Sequence, residues 1–467
     1  MKRDYKGLRV TVMGLGLNGG GVASARFFAS RGATVTVTDL RNEKDLAASL
    51  EALKGLPLRY VLGRHDEEDF STADIVVKNP AVRPQNPYLA LARRIETDLS
   101  VFLSEVDNPV YAVTGSKGKS TTATALHAIF QRHDARSLLG GNIAVSPLSF
   151  LDQLTPGAPV ILELSSWQLA DLRSSGVLHP AIAAVTNLLW DHMNVYVRQE
   201  DYAADKAVIF EGQDPKAWSI VGLEGWGPWF ARRTGARKAF FSLNGRPLTF
   251  PEQGEFVFWL DDAGGWGQYS EQEQPLALLP PALRVPGAIF RGNCLIASAM
   301  AFLAGVPLQV IHEALSSFRG VSHRMELFWE SGGIRFYDDT AATIPEAAVA
   351  SFLAFNSPVH WLAGGTDKNL DLKVWEDLSQ PPASLVLLGG SATERLIPVL
   401  QKKGWAWKGP YRSMKEAVEA LVVATQPGDV VLLSPGAASF ELFLNEFDRG
   451  RQFQQNVLEI RPEGKRP

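Results

Sequence analysis

The segment Thr114-Gly115-Ser116-Lys117-Gly118-Lys119-Ser120-Thr121-Thr122 follows the apolar run Val110 to Val113 and carries the residue types of a phosphate cradle. Glycines let backbone N–H groups converge on an oligophosphate, a lysine adds a point charge, and a hydroxyl can enter the shell of a divalent cation. The spacing is tighter than the common Gly-x-x-x-x-Gly-Lys-Ser/Thr pattern, because Val113 stands at the place of its first glycine and the nearest glycine is Gly115. By itself the loop predicts a nucleoside triphosphate and does not choose among kinases, GTPases, synthetases and motors.

Chemistry on a triphosphate needs a divalent ion, which carboxylates at the ends of neighbouring strands can hold. Glu163 lies near the end of the run Val160 to Leu164, and the next run, Ile182 to Thr186, leads into Asn187 and on to Asp191-His192-Met193-Asn194. That puts a carboxylate and an imidazole at one edge of the expected sheet, where open α/β sheets bind ligands. Lys206 follows in Asp201-Tyr202-Ala203-Ala204-Asp205-Lys206, on a helical stretch. A second glycine-rich turn, Gly14-Leu15-Gly16-Leu17-Asn18-Gly19, separates the strand-like Leu8 to Met13 from the helical Val22 to Ser30, and the following strand, Thr34 to Thr38, ends at Asp39. This is a dinucleotide-type fingerprint with an acid placed to meet a ribose hydroxyl; it also fits a turn chosen only for close helix–strand packing.

The elements that must position these residues alternate as strands and helices, which predicts parallel sheets. The fold class expected is α/β, in three domains each built on a largely parallel sheet with flanking helices: 1–106, 107–318 and 319–467. The central one is a P-loop ATPase unit with a small β-rich extension, because residues 212–286 turn rich in Trp, Gly and Pro with short alternating runs such as Phe256-Val257-Phe258-Trp259. Arg319 to Arg324 reads as a linker. A chain of 467 residues suits several cores, and 46% hydrophobic with 21% charged residues is an ordinary globular balance. A net charge of -4 argues against a general nucleic-acid binder, and the lone Cys294 excludes an intrachain disulfide or a multi-cysteine metal site. No apolar run reaches about 18 residues, so neither export nor membrane insertion is expected, and the cytoplasm is the expected compartment.

Taken together, Thr114 to Thr122, Glu163-Leu164-Ser165-Ser166-Trp167-Gln168, Asp191 to Asn194 and Asp201 to Lys206 resemble the Mur ligase family. Further matching pieces are Gly140-Gly141-Asn142-Ile143, His323-Arg324, Asp338-Asp339-Thr340-Ala341-Ala342-Thr343, Gly364-Gly365-Thr366-Asp367-Lys368 and Ser434-Pro435-Gly436-Ala437-Ala438-Ser439. The resemblance implies an ATP- and Mg2+-dependent amide-bond ligase of peptidoglycan assembly, nearest to the branch that adds glutamate, in its D form, to UDP-N-acetylmuramoyl-L-alanine through an acyl phosphate. It implies Lys119, Lys206, His192 and Arg324 as catalytic residues, and an ATP site of Gly115, Ser116, Lys117, Gly118, Lys119, Ser120, Thr121, Asn293, Arg324 and Asp339. The UDP substrate would meet Gly14, Leu15, Gly16, Leu17, Asn18, Asp39, Arg41, Asn142 and His192, and the amino acid Thr343, Lys368, Ser439 and Phe440. Magnesium would be held by Ser120, Glu163, His192 and Lys206, the last as a carbamate, in a monomeric protein. The chain departs from the family pattern at Ile289-Phe290, at Ala341 and at Glu446, where Phe447 stands next door. The rival readings are a sister ligase that takes L-glutamate or another amino acid, a nicotinamide-dependent dehydrogenase, and a nucleotide-binding regulator without catalysis.

Overall fold

The computed structural model describes residues 3–17, 19–143, 145–189, 196–248, 255–269 and 274–466. The chain divides into two compact units, 1–280 with 292–315 and 281–291 with 316–467.

The first unit holds two sheets. β1 (Arg9–Met13), β2 (Thr34–Asp39), β3 (Leu58–Leu62), β4 (Ile75–Lys78) and β5 (Ile95–Glu96) form a parallel sheet of order β3-β2-β1-β4-β5. The order reverses beside β1, so the glycine turn after it opens at the switch point where such sheets bind ligands. The second sheet contains β6 (Val110–Thr114), β7 (Leu138–Gly141), β8 (Val160–Glu163), β9 (Ile182–Val185), β10 (Trp218–Gly222), β11 (Arg237–Ser242), β12 (Phe256–Leu260), β13 (Gly265–Tyr269) and β14 (Leu276–Ala277). Its order is β14-β13-β12-β11-β10-β9-β6-β8-β7. The Trp- and Gly-rich stretch therefore prolongs the ATPase sheet: β10 to β12 continue it in parallel, and the antiparallel pairs are β12 with β13 and β13 with β14, so that β13 alone is reversed among them. Residues 218–221 of β10 and 257–260 of β12 are buried without a break, the pattern of strands covered on both faces.

One apolar cluster runs from Val10 and Val37 through Phe102 to Ala112 and Leu162, so the two sheets share a core. The helix Asp98–Glu105 joins them, and its start is fixed by a capping box between Thr97 and Ser100. Lys78, at the end of β4, is paired at 2.7 Å with Asp171 on the helix Ser166–Leu172. Both side chains are less than a tenth exposed, with 5% and 7% of their surface accessible.

The second unit is built on β15 (Glu326–Ser331), β16 (Ile334–Asp338), β17 (Val359–Ala363), β18 (Ser384–Leu388), β19 (Lys408–Tyr411) and β20 (Val430–Leu433), in the order β15-β16-β20-β17-β18-β19. All pairs are parallel except β15 with β16. On one face Trp361 stacks between Phe352 and Trp375, with ring centroids 4.8 and 4.4 Å away. Residues 281–291 pack with this unit, where the Tyr337 hydroxyl donates to the Arg284 carbonyl at 3.0 Å. Among the described residues no helix is long and apolar enough to cross a membrane.

Because an ion pair this buried is sustained by its partner, Lys78→Ala is expected to destabilise the first unit by about 3 kcal/mol. The double change Lys78→Met with Asp171→Leu should cost far less. Urea unfolding of the three proteins checks this, and equal losses in both variants would contradict it.

Candidate active site

A cavity of about 1020 Å³ in the first unit is lined at one end by Gly14, Gly16, Leu17, Asp39, Arg41 and His65, and at the other by Lys119, Asn142, Ser165, Trp167 and Lys206. Its nucleotide-like end is organised by Asp39. One carboxylate oxygen accepts from the Gly16 N–H at 3.0 Å and the other from the Arg41 N–H at 2.9 Å, so this acid ties the glycine turn to the end of β2. Leu15 is fully buried beneath the turn, whereas Leu17 is 59% exposed into solvent and cavity. Asn18 and His192 lie outside the described residues.

At the other end, β6 runs into the phosphate loop and the helix Lys119–His133 leaves it. Gly115 has φ 149°, and a Cβ there would sit 1.9 Å from Thr186 Oγ1; Gly118 has φ 84°, and its Cβ would sit 2.3 Å from Asn293 Oδ1. Only glycine tolerates both the backbone angles and the approach. Asn293 is thereby brought against the loop. Ser120 and Thr121 occupy the first turn of the helix, both half-buried, while Lys117 is exposed. Asn187, which no motif singled out, clamps the loop: its Oδ1 accepts from the Lys117 N–H at 2.9 Å, its amide donates to the Lys117 carbonyl at 3.1 Å, and its own carbonyl accepts from the Ser116 N–H at 3.0 Å. The only signal for it in the sequence was its place at the end of a buried strand.

Two ammonium groups converge here. Lys119 Nζ donates to the Gly115 carbonyl at 3.0 Å and to the Ser116 carbonyl at 3.1 Å, and Lys206 Nζ donates to the same Gly115 oxygen at 2.9 Å. Lys206 is 1% exposed and lies 4.4 Å from the centroid of the Tyr202 ring. Like charges sharing one acceptor in a buried setting repel, and an anion beside them relieves the repulsion. Asn142 donates to Glu163 Oε1 at 3.2 Å, while Glu163 Oε2 is buried with no hydrogen-bond partner among the described residues. An unpartnered buried carboxylate oxygen at a strand end fits a divalent cation.

In the second unit the loops after β16, β17 and β20 meet at the carboxyl edge of three adjacent strands. Gly436 N–H donates to the Ala342 carbonyl at 2.9 Å, and Thr366 pairs with Ala438. Beneath them lies Arg449, fully buried and missed by the motif reading. Its guanidinium donates to the Ala437, Ala438 and Thr340 carbonyls at 3.0 to 3.1 Å and to Thr340 Oγ1 at 2.9 Å, and burial pulls its pKa down to about 10. On this platform Ser439 Oγ is buried and unpartnered, Lys368 is exposed with its ammonium 5.1 Å from the Phe440 ring, Phe440 itself is 60% exposed, and Thr343 is half-buried. Arg324 is exposed on the linker, between His323 at φ 62° and Met325 at φ 47°. That strained turn is anchored by His323 Nδ1 donating to Asp338 at 2.6 Å and by the Met325 N–H donating to Asp339 at 3.1 Å. His323, Glu326 and Asp338 bring ligand-type atoms within 4.8 Å of one another, but the Gln454 amide already donates to both carboxylates, at 3.1 and 2.9 Å.

A glycine-turned phosphate loop with two converging lysines, opening into a cavity that continues to a nucleotide-type turn, defines an α/β P-loop protein of the nucleotide-dependent enzyme class. The family model of the Mur ligase middle domain matches residues 113–246, and that of the Mur ligase MurD-like N-terminal domain matches residues 8–100. The chain is similar to the UDP-N-acetylmuramoylalanine--D-glutamate ligases of Treponema pallidum (strain Nichols), at 38% identity, and of Borreliella afzelii (strain PKo), at 40%, each over 97% of this chain and 98% of the relative. It belongs to the Mur ligase family. Among solved structures it has the fold of the UDP-N-acetylmuramate-alanine ligase MurC of Thermotoga maritima, with a TM-score of 0.58 at 20% identity over 97% of this chain and 100% of that one.

Asp339 carries a pH signature. Burial pushes its carboxyl up to about 6, against hydrogen bonds from Ser351, Ser434 and the Met325 N–H. Folding therefore favours the protonated acid, so this contribution to stability is fully present below about pH 4, where an unfolded aspartate titrates, and is lost as the pH rises through about 6. His323, raised by its hydrogen bond to Asp338, likewise loses its contribution as pH rises through its elevated value. Asp339→Asn should flatten the fall in unfolding free energy between about pH 4 and 6, read by urea unfolding followed by circular dichroism; an unchanged slope would exclude Asp339 as its source.

Proposed function

We propose that this protein joins D-glutamate to UDP-N-acetylmuramoyl-L-alanine at the expense of ATP, a step of peptidoglycan-precursor synthesis. The observation that carries the reading is the cavity of about 1020 Å³ lined both by Asp39 and Arg41 and by Lys119, Asn142 and Lys206, room for a nucleotide-linked substrate whose far carboxylate meets the phosphate loop. In this reading the spans 1–106, 107–318 and 319–467 serve the UDP substrate, ATP and the amino acid, in a cytoplasmic monomer.

A carboxylate is a poor electrophile toward an amine. The alanyl carboxylate first takes the γ-phosphoryl group of ATP, giving an acyl phosphate and ADP; the amine of glutamate attacks its carbonyl carbon, and the tetrahedral intermediate loses a proton and expels phosphate. Lys119 neutralises the oxygens of the transferring group, which is the main catalytic demand in phosphoryl transfer. Asn142 orients the muramoyl-alanine end. Lys368 pairs with the side-chain carboxylate of glutamate, and Ser439, whose buried hydroxyl has no protein partner, donates to it. Glu163, Ser120, His192 and Lys206 would hold magnesium, which when bound lowers the negative charge on the phosphates. Lys206 serves there as a carbamate: its neutral amine adds to carbon dioxide and releases a proton, replacing one of two crowded ammonium groups with an anion.

Lys206→Ala is expected to lower ligation by more than about a hundredfold, the scale of lost electrostatic catalysis, and a short carboxylic acid added to the medium should restore part of the rate. Full activity in the variant would rule out the carbamate. A radiolabelled amino-acid panel with UDP-N-acetylmuramoyl-L-alanine tests the whole reading: phosphate release dependent on D-glutamate is expected, and preference for another amino acid would overturn the substrate.

A further inference from the structure

His65 lines the nucleotide end of the cavity and belongs to none of the motifs above. It follows β3 in Gly63-Arg64-His65, where the Gly63 N–H donates to the carbonyls of both Asp39 and Arg41, at 2.8 and 3.0 Å. The imidazole is thus tied by the backbone to the two residues expected to meet the nucleoside. Its ring is fixed edge-on against Phe70 and Tyr88, at 5.7 and 5.1 Å between centroids.

The second ring contact sets the tautomer. Thr38 Oγ1 lies 3.1 Å from the Arg64 carbonyl, which can only accept, and 2.7 Å from His65 Nδ1; the assignment that satisfies both contacts gives the hydroxyl proton to the carbonyl and has Nδ1 donate to Thr38. Burial lowers the imidazole's pKa, outweighing the opposite pull of Asp39 and Asp66, which keeps the ring neutral. Nε2 is then a bare acceptor, and among the described residues none hydrogen-bonds to it.

We propose that His65 is a specificity-determining residue for the nucleoside, its Nε2 accepting a hydrogen bond from a donor that the nucleoside carries, either the imide N3–H of uracil or a ribose hydroxyl. This rests on the reading that the cavity takes a UDP-linked substrate. An imide donor also explains discrimination: cytosine offers a lone pair at N3, which would face the lone pair of Nε2, and an unpaired buried acceptor is costly.

The test is calorimetric titration of the full chain with UDP, N3-methyl-UDP and 2′-deoxy-UDP, using the unsubstituted protein, His65→Leu and His65→Gln. His65→Leu should weaken UDP about tenfold, and His65→Gln, which keeps an acceptor, should recover most of the loss. If the imide is the donor, the unsubstituted protein disfavours N3-methyl-UDP and His65→Leu no longer distinguishes it from UDP; if the ribose is the donor, 2′-deoxy-UDP shows that pattern instead. ATP affinity unchanged in His65→Leu verifies the fold. Unaltered UDP affinity in His65→Leu, or analogue penalties that persist undiminished in it, would overturn the proposal. Failure of the unsubstituted protein to bind UDP would instead sink the UDP reading itself, and this inference with it.

Discussion

The meeting of Lys119 and Lys206 at the carbonyl oxygen of Gly115 is the constraint on which the rest of the first unit depends. Two ammonium groups that share one backbone acceptor repel, and the loop holds them there against that repulsion. The acceptor is available because Gly115 and Gly118 turn without side chains, and Thr186 and Asn293 fill the space where their Cβ atoms would stand. Asn187 then holds the loop in shape from the neighbouring strand, bonding both the N–H and the carbonyl of Lys117. Remove the glycine geometry and neither lysine has its post.

The second unit solves a different problem with the same economy. Its proposed amino-acid residues sit on the loops after three different strands, and a single buried guanidinium, Arg449, bonds carbonyls from two of them. A buried cation with no carboxylate partner among the described residues is tolerated because four acceptors surround it, and burial still depresses its pKa. The guanidinium draws those carbonyl oxygens inward, while above it the Ser439 hydroxyl is buried and Lys368 and Phe440 are exposed.

Much of this was legible from residue order. Buried strands read as apolar runs, and glycine turns between a strand and a helix read as phosphate or nucleotide loops, because those properties are local: they depend on backbone angles and on the burial of a few consecutive side chains. The end of β2 at Asp39 and the end of β8 at Glu163 were visible for that reason. The Trp- and Gly-rich stretch between 212 and 286 was legible as β-rich, but not as a continuation of the ATPase sheet, since strand pairing is a matter of which edge is left open.

The sequence alone thus determined the kinds of chemistry on offer: an oligophosphate cradle, a lysine and a carboxylate near it, a nucleotide-type turn, and α/β architecture. The tertiary structure decided which groups share an environment. That Asn187 clamps Lys117, that Arg449 underlies Ser439, that His65 is held as a neutral acceptor by Thr38, and that Asp39 spends its oxygens on Gly16 and Arg41 are contacts between residues distant or unremarkable in the chain. Hydrogen bonds of this sort are set by where the packed sheets bring side chains, and no local spacing encodes them.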